Sequence, residues 1–146
     1  MQNFETYAEF ERDVRSSFGR QKLMKLYGAT LARVEPGTAE ITMPFNPELT
    51  QHHGYLHGAV VTALVDNACG FAAMTISPAG MEMLTVEYKV NFLAPAVGEI
   101  LIARGTVKKP GKTFIICTGE AVMMHNGKER HVATMLATMF PAAPRI

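Results

Sequence analysis

Residues 59–74 carry 12 apolar side chains among 16 positions, and none is proline. That density predicts a helix buried on nearly all sides. His57-Gly58 marks its start and Ser77-Pro78-Ala79-Gly80 its end. After Gly80 the period changes to two. Leu84, Val86, Tyr88, Val90 and Phe92 alternate with Thr85, Glu87, Lys89 and Asn91, a strand with one apolar face. Three more extended runs follow, near 98–108, 113–124 and 130–140, separated by Pro95 and Gly98, by Pro110-Gly111 and by Asn126-Gly127. Connections this short predict antiparallel hairpins or a meander, since a parallel crossover needs about a dozen residues. Ahead of the helix, runs near 29–35 and 38–45 flank the turn signal Pro36-Gly37, and 46–56 is irregular. The first segment, 4–18, sets Phe4, Tyr7, Ala8 and Phe10 beside charged residues and predicts a short amphipathic helix.

A helix that is apolar all round has to be wrapped. Two strands before it and four after it predict an α+β fold, a curved antiparallel sheet around one central helix. Strands 84–92 and 132–140 are expected to supply the inner face. The 146 residues suit a single domain, with an N-terminal helical segment at 1–24 and a core at 25–140.

Composition narrows the partners. Apolar residues make up 48% and charged residues 18%, a globular balance. The 14 Lys and Arg against 13 Asp and Glu leave a net charge of +1, with no broad electrostatic footprint for nucleic acid or an anionic membrane. Cys69 and Cys117 form no CxxC and no disulfide framework, which predicts a reducing, cytoplasmic compartment. The N-terminus lacks the apolar stretch of a signal peptide. The longest apolar run is broken by Asp66-Asn67 and is shorter than the ~20 residues of a membrane span. At this size, oligomerisation helps to bury a core.

Inside the apolar helix, Gly58, Thr62, Asp66 and Gly70 recur every four residues and share one stripe. A carboxylate on a buried helix is costly unless it is paired or used. Asp66 therefore reads either as a functional acid or as an acceptor for loop N–H groups. Gly58 reads either as an ordinary turn glycine or as an oxyanion donor, its N–H free at the positive end of the helix and its missing side chain leaving room for a carbonyl. The two lie ~12 Å apart along one helix. Two copies packed antiparallel would bring Asp66 of one chain to Gly58 of the other, with Thr62 near the two-fold axis, in a homodimer with shared sites.

Other chemistries find less footing. His52, His53 and His57 lack HExxH and a completing ligand set, so no metal is expected. No GxSxG, Walker or dinucleotide glycine motif is present. The stretch Lys108-Lys109-Pro110-Gly111-Lys112 is either a solvated turn or a handle for a phosphorylated ligand. Met74, Met81, Met83 and Met135 are either core filling or the lining of an adaptable acyl pocket.

The stretch Asn46-Pro-Glu-Leu-Thr-Gln-His-His-Gly-Tyr-Leu-His57-Gly58-Ala-Val-Val-Thr-Ala-Leu-Val-Asp66 closely resembles the signature of hotdog-fold acyl-CoA thioesterases of the PaaI type. The run Leu84-Thr-Val-Glu-Tyr-Lys-Val-Asn-Phe-Leu-Ala-Pro-Ala96 resembles that family's first long strand after the helix. The resemblance implies a hotdog fold, an acyl-CoA substrate, no cofactor, and a dimer with sites shared across its interface, often a dimer of dimers. It implies Asp66 as nucleophile or general base and Gly58 as the N–H donor to the thioester oxygen from the partner chain. His57 and Gln51 match residues that polarise the thioester or place water, and Thr85 matches a hydroxyl that orients the water. Asn46, Val86, Lys109, Gly111, Lys112 and Thr113 match substrate-binding positions, the last three on the hairpin that meets coenzyme A phosphates. The chain departs from the family in carrying His57-Gly58-Ala59 for HGG, Gly70 where some relatives have a hydroxyl, and Asp rather than Glu as the helical acid. A non-catalytic acyl-CoA-binding protein and a hotdog hydratase or dehydratase are the competing readings. The second would need a different His/acid placement.

Overall fold

The structure is a computed structural model that describes residues 7–145, with side chains from Glu9 onward. Phe4 and the side chains of Tyr7 and Ala8, read above as the apolar edge of the first helix, lie outside the described residues. The apolar run forms the central helix, the third in the chain, after α1 (Tyr7–Gly19) and α2 (Lys22–Tyr27). This α3 (Gly58–Met74) buries ten residues between Val60 and Ala73. Its first turn begins at Gly58 because His57 caps it, the ring Nδ1 accepting the Ala59 N–H at 3.0 Å. At the other end Thr75 Oγ1 donates to Ala72 O and accepts the Gly37 N–H, both at 2.7 Å, which ties the helix end to the first hairpin.

Six strands wrap the helix: β1 (Thr30–Glu35), β2 (Thr38–Pro44), β3 (Glu82–Phe92), β4 (Ile100–Pro110), β5 (Ile115–His125) and β6 (Lys128–Ala142). They form one antiparallel sheet in the order β1-β2-β4-β5-β6-β3. This is the wrapped helix expected from the pattern and the hotdog fold that the resemblance implies. The predicted meander needs one correction. β3 pairs with β6 at the far edge, not with β4, so the connection 93–99 is not a hairpin. It crosses the end of the sheet, with Leu93 N–H bonded to Val132 O and Glu99 N–H to Met124 O, both at 2.8 Å. Seven extended residues reach about 23 Å, enough to pass two strands at about 4.8 Å each.

A second correction concerns the inner face. β6 supplies it as expected, through buried Met135, Ala137 and Met139. β3 does not present Leu84 through Phe92 on one face, because a bulge between Thr85 and Glu87 breaks the alternation. Thr85 turns toward α3, Glu87 meets Thr138 on the outer face, and Tyr88, Val90 and Phe92 return inward. Leu84 and Val86 are left outside, 55% and 53% exposed. The six-residue α2, too short for its periodicity to be read, ends on Gly28 in the left-handed region (φ 65°).

The helix sits unusually close to two strands. Gly105 on β4 pairs with Gly119 on β5, directly beneath α3. A Cβ on Gly105 would lie 2.2 Å from Ala68 O, and one on Gly119 would lie 2.4 Å from a Val65 methyl and 2.8 Å from Cys69 Sγ. Gly105→Ala therefore has to push backbone apart, and a loss of about 1–3 kcal/mol or more is expected. Gly70→Ala meets only Met83 Cβ at 4.0 Å and should be neutral or gain up to about 1 kcal/mol from helix propensity. Chemical denaturation of the two variants checks the contrast, and equal stabilities would refute the close-packing account.

Candidate active site

Two half-sites lie on α3. The first is its N-terminus. Val60 and Val61 N–H bond to His57 O, and Ala59 N–H is taken by the His57 ring. The Gly58 N–H has no partner among the described residues. It is a donor at the positive end of a 17-residue helix, on a residue with no side chain of its own and with the Phe92 ring beside it. Because Nδ1 of His57 accepts, the neutral ring carries its proton on Nε2, and the exposed ring offers that N–H outward. The loop before the helix is held by His57 N–H to Leu49 O and Leu56 N–H to Ala96 O, both at 2.9 Å. Gln51 is fixed in it, its side-chain oxygen accepting the His53 N–H and its own N–H bonding to Tyr55 O at 2.8 Å. Gln51, Tyr55, Gly58, Phe92 and Leu93 line a cavity of about 420 Å³.

The second half-site is two turns further along. Asp66 is half-buried, and Thr85 Oγ1 donates to its Oδ1 at 2.7 Å. The bulge in β3 delivers this hydroxyl to the helix. Burial raises the Asp66 carboxyl above the ordinary carboxylate range, and the Thr85 hydrogen bond offsets part of that rise. Asp66, Thr85, Asn67 and Gly70 open on a cavity of about 340 Å³. No lining residue is common to the two cavities.

Within one chain the structure thus brings Gln51, His57 and Gly58 together, and Asp66 with Thr85, but keeps the two groups apart. Lys109, Gly111, Lys112 and Thr113 form the β4–β5 tip. The ladder Pro110, Ile115, Met139, Thr85 places that tip at the Asp66 end of the sheet. Lys109 and Lys112 are exposed, and Gly111 is required by the turn, since a Cβ there would lie 2.1 Å from Phe114 O. Asn46 accepts the Glu48 N–H at 2.9 Å and caps one turn of 3-10 helix, Pro47–Leu49. Val86 sits on the outer face at the bulge. The two thiols are both buried, and burial lifts Cys69 far above its ordinary range and Cys117 to about 11, so neither is poised as a nucleophile. Among the described residues no three His, Cys, Asp or Glu side chains converge as metal ligands, and no helix is long and apolar enough to cross a membrane.

The sequence reading missed one wall of the Asp66 cavity. Ser17, Arg20 and Gln21, at the junction of α1 and α2, line it together with the acid. The signal was available: Phe10, Val14 and Phe18 recur every four residues. Phe10 and Val14 are buried, and Phe18 packs edge-on to Phe71 of α3 at 5.6 Å. That stripe docks α1 on the core and carries its end to the acid.

The profile of the thioesterase superfamily matches residues 53–133. A crystal structure of a thioesterase family protein from Silicibacter pomeroyi superposes with a TM-score of 0.90 at 42% identity, covering 92% of this chain and 99% of that one. Human acyl-coenzyme A thioesterase 13 is 29% identical over 100 residues, 68% of this chain and 71% of that one. The Escherichia coli PaaI protein from the phenylacetic acid degradation operon shares the fold, with a TM-score of 0.84 at 20% identity over 95% of this chain and 97% of that one.

The raised Asp66 carboxyl has a consequence for stability. A carboxyl that holds its proton more tightly folded than unfolded makes the fold bind a proton. Stability then falls as pH rises through the window between the ordinary carboxylate range and the raised value. Asp66→Asn removes this and still accepts from Thr85. Its Tm should match wild type in acid and exceed it at neutral pH. Parallel thermal melts across pH test this, and a neutral-pH Tm no higher than wild type would overturn it.

Proposed function

The chain belongs to the thioesterase superfamily, and we propose that it hydrolyses an acyl-CoA thioester to the free acid and coenzyme A. One observation carries the reading. A half-buried carboxylate held by a threonine hydroxyl and an unengaged N–H at a helix terminus lie on the same stripe of one helix, in separate cavities. Eight residues of helix separate them by ~12 Å, while the chemistry needs both within hydrogen-bond reach of one thioester. A second copy packed antiparallel supplies the missing half: Gly58 of one chain faces Asp66 of the other.

In the composite site the Gly58 N–H binds the thioester oxygen and the negative charge that develops on it. Asp66 takes a proton from water as the water attacks the carbonyl carbon, a role that suits an upward-shifted carboxyl. Thr85 holds the carboxylate, while Gln51 and the His57 Nε2–H lie beside the carbonyl. The tetrahedral intermediate collapses with loss of the coenzyme A thiolate, and no cofactor enters the reaction. Lys109, Gly111, Lys112 and Thr113 hold coenzyme A phosphates, and Asn46 completes the substrate contacts, while Val86, on the outer face, lines neither cavity.

Exposed Tyr88, Phe92 and Leu93 on and beside β3 support the homodimer. The outer patch of Leu84, Val86, Phe114, Leu136 and Phe140 supports a dimer of dimers, a homotetramer. The protein acts in the cytoplasm, consistent with two free buried thiols. It forms a single domain, with residues 25–140 as hotdog core and an added N-terminal segment that carries α1.

Asp66→Asn should lower kcat by about 10²–10⁴-fold while acyl-CoA still binds. Release of free thiol from a panel of acyl-CoAs measures this, and binding without thiol release by wild type would leave a non-catalytic acyl-CoA-binding protein. The shared site has its own test. Gly58→Val places a side chain where the carbonyl docks, against the Phe92 ring 3.0 Å from the new Cβ, and the homodimer of this variant should be inactive. Refolding it with Asp66→Asn should restore activity, because one site of each heterodimer is intact. No recovery with subunit exchange confirmed by mass would refute sharing. Lys112→Ala should raise KM for acyl-CoA, weaken its salt dependence and leave kcat near wild type. An equal effect on an acyl-pantetheine substrate would count against phosphate contact.

A further inference from the structure

We propose that the α1–α2 junction, Ser17 to Gln21, is the selectivity wall for the acyl group, favouring a short acyl chain with a neutral hydrogen-bonding group at its far end. This deepens the thioesterase reading and rests on it. The cavity beside Asp66 is about 340 Å³, room for one small group and too little for a pantetheine arm with its nucleotide. The acyl group, not the coenzyme, therefore enters it.

The cavity is lined by apolar and polar groups together. Phe71, Met74 and Met83 line it beside Gly70. Ser17, Gln21 and Glu82 also line it, with side chains that have no hydrogen-bond partner among the described residues. Arg20 lines it as well and gives one N–H to Ser16 Oγ at 3.3 Å. Asn67 gives its amide N–H to Ala63 O at 2.9 Å, which leaves its Oδ1 as an acceptor. Donors and acceptors are thus mixed, with Arg20, Glu82 and Asp66 all in the lining. A hydroxyl, which donates and accepts, fits such a lining. A carboxylate would meet two acids, and a plain methyl terminus would strip water from polar groups without replacing it.

The backbone of the wall is hydrogen-bonded. Arg20 N–H bonds to Ser17 O at 3.1 Å and Gln21 N–H to Phe18 O at 3.0 Å, and Phe18 packs on Phe71. The wall also lies outside residues 53–133, the span matched by the superfamily profile, so that profile does not describe its chemistry.

The test compares hexanoyl-CoA with its ω-hydroxy counterpart. In wild type, kcat/KM should favour the hydroxy substrate by about tenfold. The Ser17→Ala/Gln21→Leu double variant, and separately Arg20→Met, should bring that ratio to about threefold or less. Calorimetric titration with the non-hydrolysable thioether analogues of both substrates should show the same preference and its loss. A wild-type ratio near one, or variants that keep the preference, would overturn the wall while leaving hydrolysis intact. A preference seen only in the titrations, with no turnover of either substrate, would sustain the wall and overturn the thioesterase reading.

Discussion

The architecture depends on how closely one helix can lie against a sheet. Gly105 and Gly119, paired on adjacent central strands, put no side chain between those two positions and α3. With Cβ atoms there, helix and strands would have to move apart. Close approach also explains the small residues on the buried side of α3, such as Ala68, Cys69, Ala72 and Ala73. A sheet that wraps this tightly covers the helix on most sides and leaves one stripe facing out along its open edge.

That stripe is where the chemistry lies. β3, at the sheet edge, reaches Gly58 with the Phe92 ring and Asp66 with the Thr85 hydroxyl, and leaves both residues partly exposed. The bulge at Val86 does two things at once. It aims Thr85 at Asp66, and it sends Leu84 and Val86 to the outer face. One inserted residue thus couples the orientation of the acid to the apolar character of the outside of the sheet. The half-buried position of Asp66 lifts its carboxyl, which suits proton transfer and costs folding stability at neutral pH. A site that weakens its own fold in this way is tolerated because the glycine-packed core lies immediately beneath it.

The N-terminal segment has a separate role. Its phenylalanine stripe docks on α3 through Phe18 and Phe71, and its last turn then meets the cavity that the hotdog core leaves open. Core and added helix contribute different chemistry to one space. The core supplies the acid and its hydroxyl, and the segment supplies further polar groups to the same cavity.

Periodicity in the sequence determined the central helix, the six extended runs, their antiparallel sense and the stripe from Gly58 to Gly70, because each depends on neighbours within a turn or a strand. The buried acid and the glycine before the helix were legible for the same reason: both break an apolar pattern locally. Only the tertiary structure decided that β3 pairs with β6. Connection length limits the direction of the next strand but not which edge it joins when the chain can cross the end of the sheet. Nor could alternation reveal that Thr85, not its apolar neighbours, faces the helix, since a bulge shifts the phase without changing composition. The pairing of Gly105 with Gly119 and the meeting of Ser17, Arg20 and Gln21 with Asp66 join residues 14 to 49 positions apart. Contacts at such range arise from packing across the sheet and are written in no local pattern.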